Sequence, residues 1–426
     1  MTREETVQRY DYVVIGAGII GLTIARELHR RFPLSRICIL EKEPQVAMHA
    51  SGRNSGVLHA GFYYSADSLK AKFAREGNLA MTRYCEDNGL KLNRCGKLIV
   101  ANDASELAGL AELKRRGDAN GVELRWMDAE AMKTIDPNAK SYQWALYSPN
   151  TSTVDPVEIC RTMQRENERN GVAFRFDTAY IRHDDRRVET SNGIYEYGYL
   201  INAAGLYADK IAQRFGFGTR YTILPFKGIF LKYAKNKTDV RTNIYPVPNM
   251  NNPFLGVHFT KTVDGDIKIG PTAIPVLWRE QYKGLRGFKL RECLQIGFHQ
   301  ARLFLKNSFR FRNLAIEEVK KYRKRNFIGL SLKLIRRLDA SGFGEFMKPG
   351  IRAQLLDKHT LELVQDFVLE GDDRSIHVLN AVSPAFTCSI PFAEHVVDEI
   401  VRKRQSRETP NSRLTDEEIE WQTRSG

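Results

Sequence analysis

"YDYVVIGAGIIGLTIARELHRRFPLSRICILEKE" spans residues 10–43, and its reading sets the frame for the rest of the chain. Residues 11–16 form a short apolar run, residues 19–31 space Ile20, Ile24 and Leu28 along one helical face, and "RICILE" at 36–41 is a second apolar run. "RRFPLS" between them reads as a turn. The pattern is strand, helix, strand. Gly16, Gly18 and Gly21 suit such a unit: they permit a tight strand-to-helix turn, let backbone approach a pyrophosphate at the positive helix end, and allow helix and strand to pack closely. Ile19 and Ile20 belong to the same cofactor-facing turn. Glu41 ends the second strand twenty residues after Gly21, where a carboxylate can accept hydrogen bonds from ribose hydroxyls. Lys42 follows it, placed to balance that charge or to reach the adenosine half. A dinucleotide is expected. The unit alone does not separate NAD from FAD.

The next stretch, "HASGRNSGVLHAGFYY" at 49–64, bears on that choice. A simple nicotinamide-binding fold would continue into another helix, whereas this segment is too rich in glycine and serine. Ser51, Asn54, Ser55 and Gly56 offer backbone amides and polar side chains to an extended ligand. His59 sits between them and Gly61.

The whole sequence sets the outer bounds. At 426 residues and 42% hydrophobic composition, two or three domains with a sizeable core are expected. The polar start "MTREETVQRY" has no apolar middle of a secretory signal, so a cytoplasmic protein, soluble or peripheral on a membrane, is expected. The six cysteines are scattered without a C-x-x-C pair, which predicts neither a disulfide framework nor a metal site. The net charge of +14 is concentrated in residues 283–348, which hold 17 Lys and Arg against 5 Asp and Glu. Within it, "EEVKKYRKRNFIGLSLKLIRRL" mixes basic and apolar residues at helical spacing. A solvated helical face, an anionic membrane surface and nucleic acid are the three readings of this basic helical segment. The membrane is preferred to nucleic acid. Residues 404–426 read as a polar tail.

Taken in order, "YDYVVIGAGIIGL", "ILEKE", "NSGVLHAGFYY", "SLKAK", "CGKLIVA", "INAAGLYAD", "PFKG", "NIYPVPN", "PFLGVHFT", "IGP" and "GIRAQLLD" resemble the D-amino-acid oxidase-like family of FAD-dependent oxidoreductases. Within it, the set is most similar to the L-2-hydroxyglutarate dehydrogenases and oxidases. The resemblance implies an α/β fold, α+β overall: a discontinuous Rossmann-like FAD-binding domain from residues 1–89, 152–215 and 349–403, and a substrate domain from 90–151 and 216–348 on a mixed or antiparallel sheet. It implies noncovalent FAD, although some relatives attach flavin through a histidine in a comparable loop. The implied reaction oxidises a 2-hydroxy acid by hydride transfer to flavin N5, with a base taking the hydroxyl proton. Quinone or O2 would then accept the electrons.

The same resemblance gives the site residues. His59 is the first candidate for base or orienting group, His258 the second, and Arg352 is the carboxylate clamp, because a guanidinium grips a carboxylate through two parallel bonds. Lys227 is a candidate for a second carboxylate, and Tyr63, Tyr64 and Tyr245 for hydroxyls. Ala203, Ala204, Gly205 and Gly350 allow close approach to cofactor. Ser383, Pro384, Ala385 and Thr387 suit a helix amino terminus aimed at the flavin. Departures from the family pattern fall at Phe386, Thr272 and Trp278, and each is expected to reshape the pocket. Lys70, in "SLKAK", reads as part of a solvated helix. Two alternatives stay open: the same fold acting on an amine, an amino acid or glycerol 3-phosphate, and a non-catalytic FAD protein that binds nucleic acid.

Overall fold

The apolar run at the start of the quoted segment is strand β1 (Gln8–Ile15), followed by helix α1 (Ile19–Arg31) and strand β2 (Ile37–Leu40). These bounds come from a computed structural model that describes residues 7–248 and 254–408. Helix α1 buries Ile20, Leu22, Ile24 and Leu28 and closes with His29, Arg30 and Arg31, basic residues that oppose the negative end of its dipole.

β1 lies at the centre of an eight-stranded sheet. It pairs in parallel with β2 on one side and with Gly193–Asn202 on the other. Ala173–Arg175 extends the parallel set beyond β2, and Ser375–Asn380 extends it beyond Gly193–Asn202. The antiparallel hairpin of Tyr180–Asp184 and Arg187–Thr190 and the strand Val368–Gly371 complete it. Its buried strands read as continuous apolar runs because helices cover them, as parallel sheets require. Helix α1 packs there with Ala385–Glu408, which in turn lies on helix α2 (Leu69–Asp87). That last helix runs on to Glu408, so the tail expected from 404 begins as helix; residues 409–426 lie outside the described residues.

A second eight-stranded sheet takes its strands from 97–148 and 231–346. Its pairs are antiparallel except for Asn243–Pro246 beside Lys97–Val100, which run parallel. Leu98, Val100, Ile244 and Phe259 turn into one core on its far face. By the two-residue period of a strand, Lys97, Tyr245 and His258 then share the opposite face. A three-stranded sheet of Ile274–Pro275, Tyr221–Gly228 and Gly350–Asp357 connects this part to the cofactor side. The basic segment holds three helices, Leu290–Lys306, Phe311–Lys320 and Lys324–Leu332, and ends in strand Phe343–Phe346, so it is not helical throughout.

Candidate active site

A cavity of about 630 Å³ follows the carboxyl ends of the parallel strands, at the switch point where such sheets place ligands. Gly16 turns the chain from β1 into α1 at φ +107°, and a Cβ there would stand 2.6 Å from the Ala203 carbonyl oxygen. Only glycine fits. Gly21 is needed for a different contact: its Cβ would stand 1.9 Å from the Gly16 oxygen, so it packs the helix and does not line the cavity. Gly18, Ile19 and Ile20 do line it, as do Ala203, Ala204 and Gly205 from the facing turn.

The polar residues around this turn are already engaged with protein. Ser51 Oγ accepts the Ile19 N–H at 2.9 Å, serving as the cap that Gly18 cannot provide. Glu41 accepts the Ala17 N–H at 2.7 Å on one oxygen and the Glu43 N–H at 3.0 Å on the other. Each oxygen keeps a second lone pair, and Glu41 lines the cavity. Lys42 does not balance Glu41; it bridges Glu280 at 2.5 Å and Glu43 at 2.7 Å. Glu43, Glu280 and His49 form a group of metal-ligand type, with the Lys42 ammonium already on both carboxylates. Asn54 Oδ1 accepts the Gly56 N–H at 2.8 Å and fixes the loop; Asn54 and Ser55 line the cavity and Gly56 does not.

At the other end the loop meets the final helix. Ser383, Pro384, Ala385, Phe386 and Thr387 line the cavity with Gly350 and Arg352. Thr387 Oγ1 accepts the His59 backbone N–H at 3.1 Å, which sets the histidine at the cavity wall. Asn78 donates to the Leu58 and His59 carbonyls and holds the same turn from α2.

An annex of about 50 Å³ opens beside His59. His59, Arg352, Ser55, Ser383 and Thr272 line both spaces, while Tyr245 and His258 line the annex alone. His258 stacks on Tyr245 with ring centroids 3.6 Å apart, and its Nδ1 meets the Gly256 carbonyl at 2.8 Å. Only a protonated Nδ1 can bond that oxygen, so Nε2 is left as an acceptor. Burial pushes His258 down to about 3 and, with the fields of Lys97, His258 and Arg352, holds His59 well below the usual imidazole range. Both rings are neutral near pH 7. Burial lowers Arg352 from its ordinary value, and its guanidinium lies 5.0 Å from the Phe254 ring. Glu318, whose field reaches Arg352, is engaged with Lys321 and accepts the Ala273 N–H at 2.6 Å.

Several expected residues stand elsewhere. Lys227 is absent from both linings, because Phe226 and Gly228 face the cavity and the residue between them must face away. Tyr63 and Tyr64 pack in cores behind the wall, the Tyr63 hydroxyl buried without a hydrogen-bond partner among the described residues. Trp278 is buried against Phe288 and shapes neither space. Lys70 is not solvated but 6% exposed, with burial lowering it to about 8. Lys97, Lys268 and Gly77 also support the site. Each is a single residue whose role depends on a distant partner, so neither pattern nor spacing marks it.

A family model described as FAD dependent oxidoreductase matches residues 11–398. The chain belongs to that family. This FAD-dependent oxidoreductase is 33% identical over 413 residues to the L-2-hydroxyglutarate dehydrogenase of Escherichia coli strain K12, covering 95% of this chain and 96% of the relative. It is also 33% identical over 428 residues to the mitochondrial L-2-hydroxyglutarate dehydrogenase of Homo sapiens, at 94% and 91% coverage. Among solved structures, FAD-bound L-alpha-glycerophosphate oxidase from Mycoplasma pneumoniae superposes with TM-score 0.71 at 21% identity, covering 93% of this chain and 95% of that one. Glycine oxidase from Geobacillus kaustophilus gives 0.68 at 17%, covering 93% and 96%. The residues fit FAD: a Cβ-free cradle at Gly16, backbone donors at the α1 amino terminus and an elongated cavity continue into a second helix amino terminus at Ala385.

Proposed function

We propose that this oxidoreductase oxidises a dicarboxylic L-2-hydroxy acid, L-2-hydroxyglutarate to 2-oxoglutarate, with noncovalent FAD as the acceptor of hydride at N5. The observation that carries the reading is the annex: Arg352 and two neutral histidines line it, and no acidic side chain does so among the described residues. Behind the wall stand Lys70 and Lys268, buried amines that burial lowers to about 8 each. Their field favours a dianion over a monoanion, and the positive charge they gain on binding it offsets the cost of burial. Arg352 clamps one carboxylate, His59 accepts the hydrogen bond of the substrate hydroxyl, and His258 lines the same space. FAD supplies the two-electron chemistry; the chain binds, orients and keeps water out. In this reading the parallel sheet, with 1–89, 152–215 and 349–403, is the cofactor domain, and 90–151 with 216–348 is the substrate domain.

Steady-state turnover with an artificial electron acceptor tests the substrate class. L-2-hydroxyglutarate is expected to react, and lactate at least 10-fold more slowly at equal concentration. Turnover of glycerol 3-phosphate, glycine or D-proline with none of any 2-hydroxy acid would overturn the reading. Acid precipitation should leave the flavin in the supernatant; flavin carried down with the protein would show a covalent link.

For the electron-accepting partner we propose a quinone at an anionic membrane, a reading that the surface supports. Of the 21 exposed large hydrophobic side chains among the described residues, 13 fall within 283–348, a concentration that scatter does not produce. On Leu290–Lys306, Leu290, Leu294, Phe298 and Leu305 fall within roughly 80° of arc at 3.6 residues per turn, opposite the buried Ile296, His299 and Leu303. Arg291 and Arg302 lie along one edge of that stripe. An apolar stripe edged with arginines, on a segment with an excess of basic over acidic residues, matches an anionic bilayer, where a quinone would collect the electrons. No described helix is long and apolar enough to cross a membrane. Flotation with vesicles containing phosphatidylglycerol is expected at low salt and lost when Leu294 and Phe298 are both changed to Ser. Absence of flotation at low salt would refute the docking.

A further inference from the structure

His59 has a buried amine behind it. Lys97 is 0% exposed, and its Nζ lies 3.5 Å from His59 Nδ1. Strand pairing sets Lys97 opposite Asn243 and Ile99 opposite Tyr245, so the amine comes out over the Tyr245 ring, 4.3 Å from its centroid. The Tyr63 and Phe62 rings stand 5.2 and 5.5 Å away on the other side. The groups facing the pair are His258 and Arg352 beside His59, Lys268 beyond His258, Cys95 beside Lys97, and the Tyr63 and Tyr245 hydroxyls. Among the described residues no carboxylate faces the pair. A lysine buried in an aromatic cage without an anion is held toward its neutral form, and a neutral amine can accept a hydrogen bond as well as donate one.

We propose that Lys97 is a positioning residue that orients His59 through Nδ1 and, through that ring, receives the hydroxyl proton of the substrate. The inference rests on the hydroxy-acid reading above. The substrate O–H bond breaks as its proton reaches His59 Nε2, and the Nδ1–H bond breaks as that proton reaches the Lys97 lone pair. The imidazole ends neutral with its tautomer exchanged, and the new positive charge rests on the Lys97 ammonium. The C2 hydrogen leaves with its electron pair for the FAD this family binds, and C2–O becomes a carbonyl. The division of labour follows from the two groups: burial, with the Arg352 guanidinium nearby, keeps His59 from retaining a proton, whereas burial lowers the Lys97 amine only to about 7.

Two measurements on the FAD-loaded protein test this. In NMR spectra of protein labelled at lysine Cε, one resonance is expected to titrate near pH 7 and to be missing from Lys97→Met, whereas surface lysines titrate near ~10.4. In anaerobic stopped-flow reduction by L-2-hydroxyglutarate, the wild-type rate is expected to rise with pH through about 7 and then level. Lys97→Met and the permanently charged Lys97→Arg are expected to be about 100-fold slower and to lack that rise. A Lys97→Met rate and pH profile within about 3-fold of wild type, or a Lys97 resonance titrating with the surface lysines, would overturn the proposal. If Lys97→Met does not fold, Lys97→Arg assigns the resonance and carries the kinetic comparison. If the resonance titrates near 7 but no hydroxy acid reduces the flavin, the neutral amine stands and the substrate reading falls.

Discussion

His59 and Arg352 reach the same small space from segments nearly 300 residues apart in sequence, one on the loop after the cofactor turn and one on a strand that returns to it. Replacing His59 by Asn should slow anaerobic flavin reduction about 100-fold while the FAD content per chain stays at the wild-type level, because backbone bonds hold the loop. Loss of flavin instead would make the residue a cofactor ligand. Lys97 also gives a stability prediction. Its folded value is depressed, so between about 7 and 10.5 the unfolded chain binds the proton that the folded chain does not, and stability rises with pH across that window. The cost of the buried amine is complete below about 7, so urea unfolding of Lys97→Met should show a larger gain over wild type at about pH 6.5 than at about pH 9.5. At this scale His59, His258, Arg352 and Tyr245 were legible in short motifs. Lys97 was not, because one lysine at the start of a strand looks the same whether it meets solvent or an imidazole. Lys227 misled for a related reason: the motif gives the residue, and only the strand's phase says which face it takes.

The βαβ unit is the element that the sequence shows most plainly, since its apolar runs, glycines and acidic residue are all local. The crossing of α2 with the final helix is not local. Gly77 marks that crossing: a Cβ there would stand 2.2 Å from the Thr387 carbonyl oxygen and 2.8 Å from Cys388 Cα. Both obstacles are backbone, so the helices must part. Gly77→Ala should cost about 1–3 kcal/mol in urea unfolding and weaken FAD retention, because Thr387 carries the bond to His59. Unchanged stability with unchanged flavin content would show that the crossing tolerates a methyl group. A glycine in a helical pattern does not announce such a contact, since its partner lies some 310 residues later in the chain.

Across the whole molecule, the three pieces around Asp209 are held by one ion pair. Arg279 Nη1 and Nη2 donate to the two Asp209 oxygens at 2.8 and 2.9 Å, Arg279 also donates to the Leu206 carbonyl, and Asp209 accepts the Ile223 N–H at 3.0 Å. The pair is 1% and 0% exposed and ties the turn after the parallel strand to the segment that enters the basic helices. Arg279→Met leaves a buried carboxylate without its cation and should cost about 3–5 kcal/mol, part of it recovered by adding Asp209→Asn. Equal stability of the single and double variants would show that the pair is not coupled. The α/β class and the mixed second sheet could be read from the order of motifs. The strand order within that sheet could not, because Lys97–Val100 joins Asn243–Pro246 across about 140 residues with no local signal.

The most direct test of one continuous site for cofactor and dicarboxylate is anaerobic mixing of the FAD-loaded protein with L- and D-2-hydroxy acids while the oxidised flavin absorbance is followed. Complete bleaching by L-2-hydroxyglutarate, with one 2-oxoglutarate formed per FAD and little bleaching by lactate or D-2-hydroxyglutarate, is the predicted result. Full bleaching by an amine or by glycerol 3-phosphate, with L-2-hydroxyglutarate inert, would contradict it.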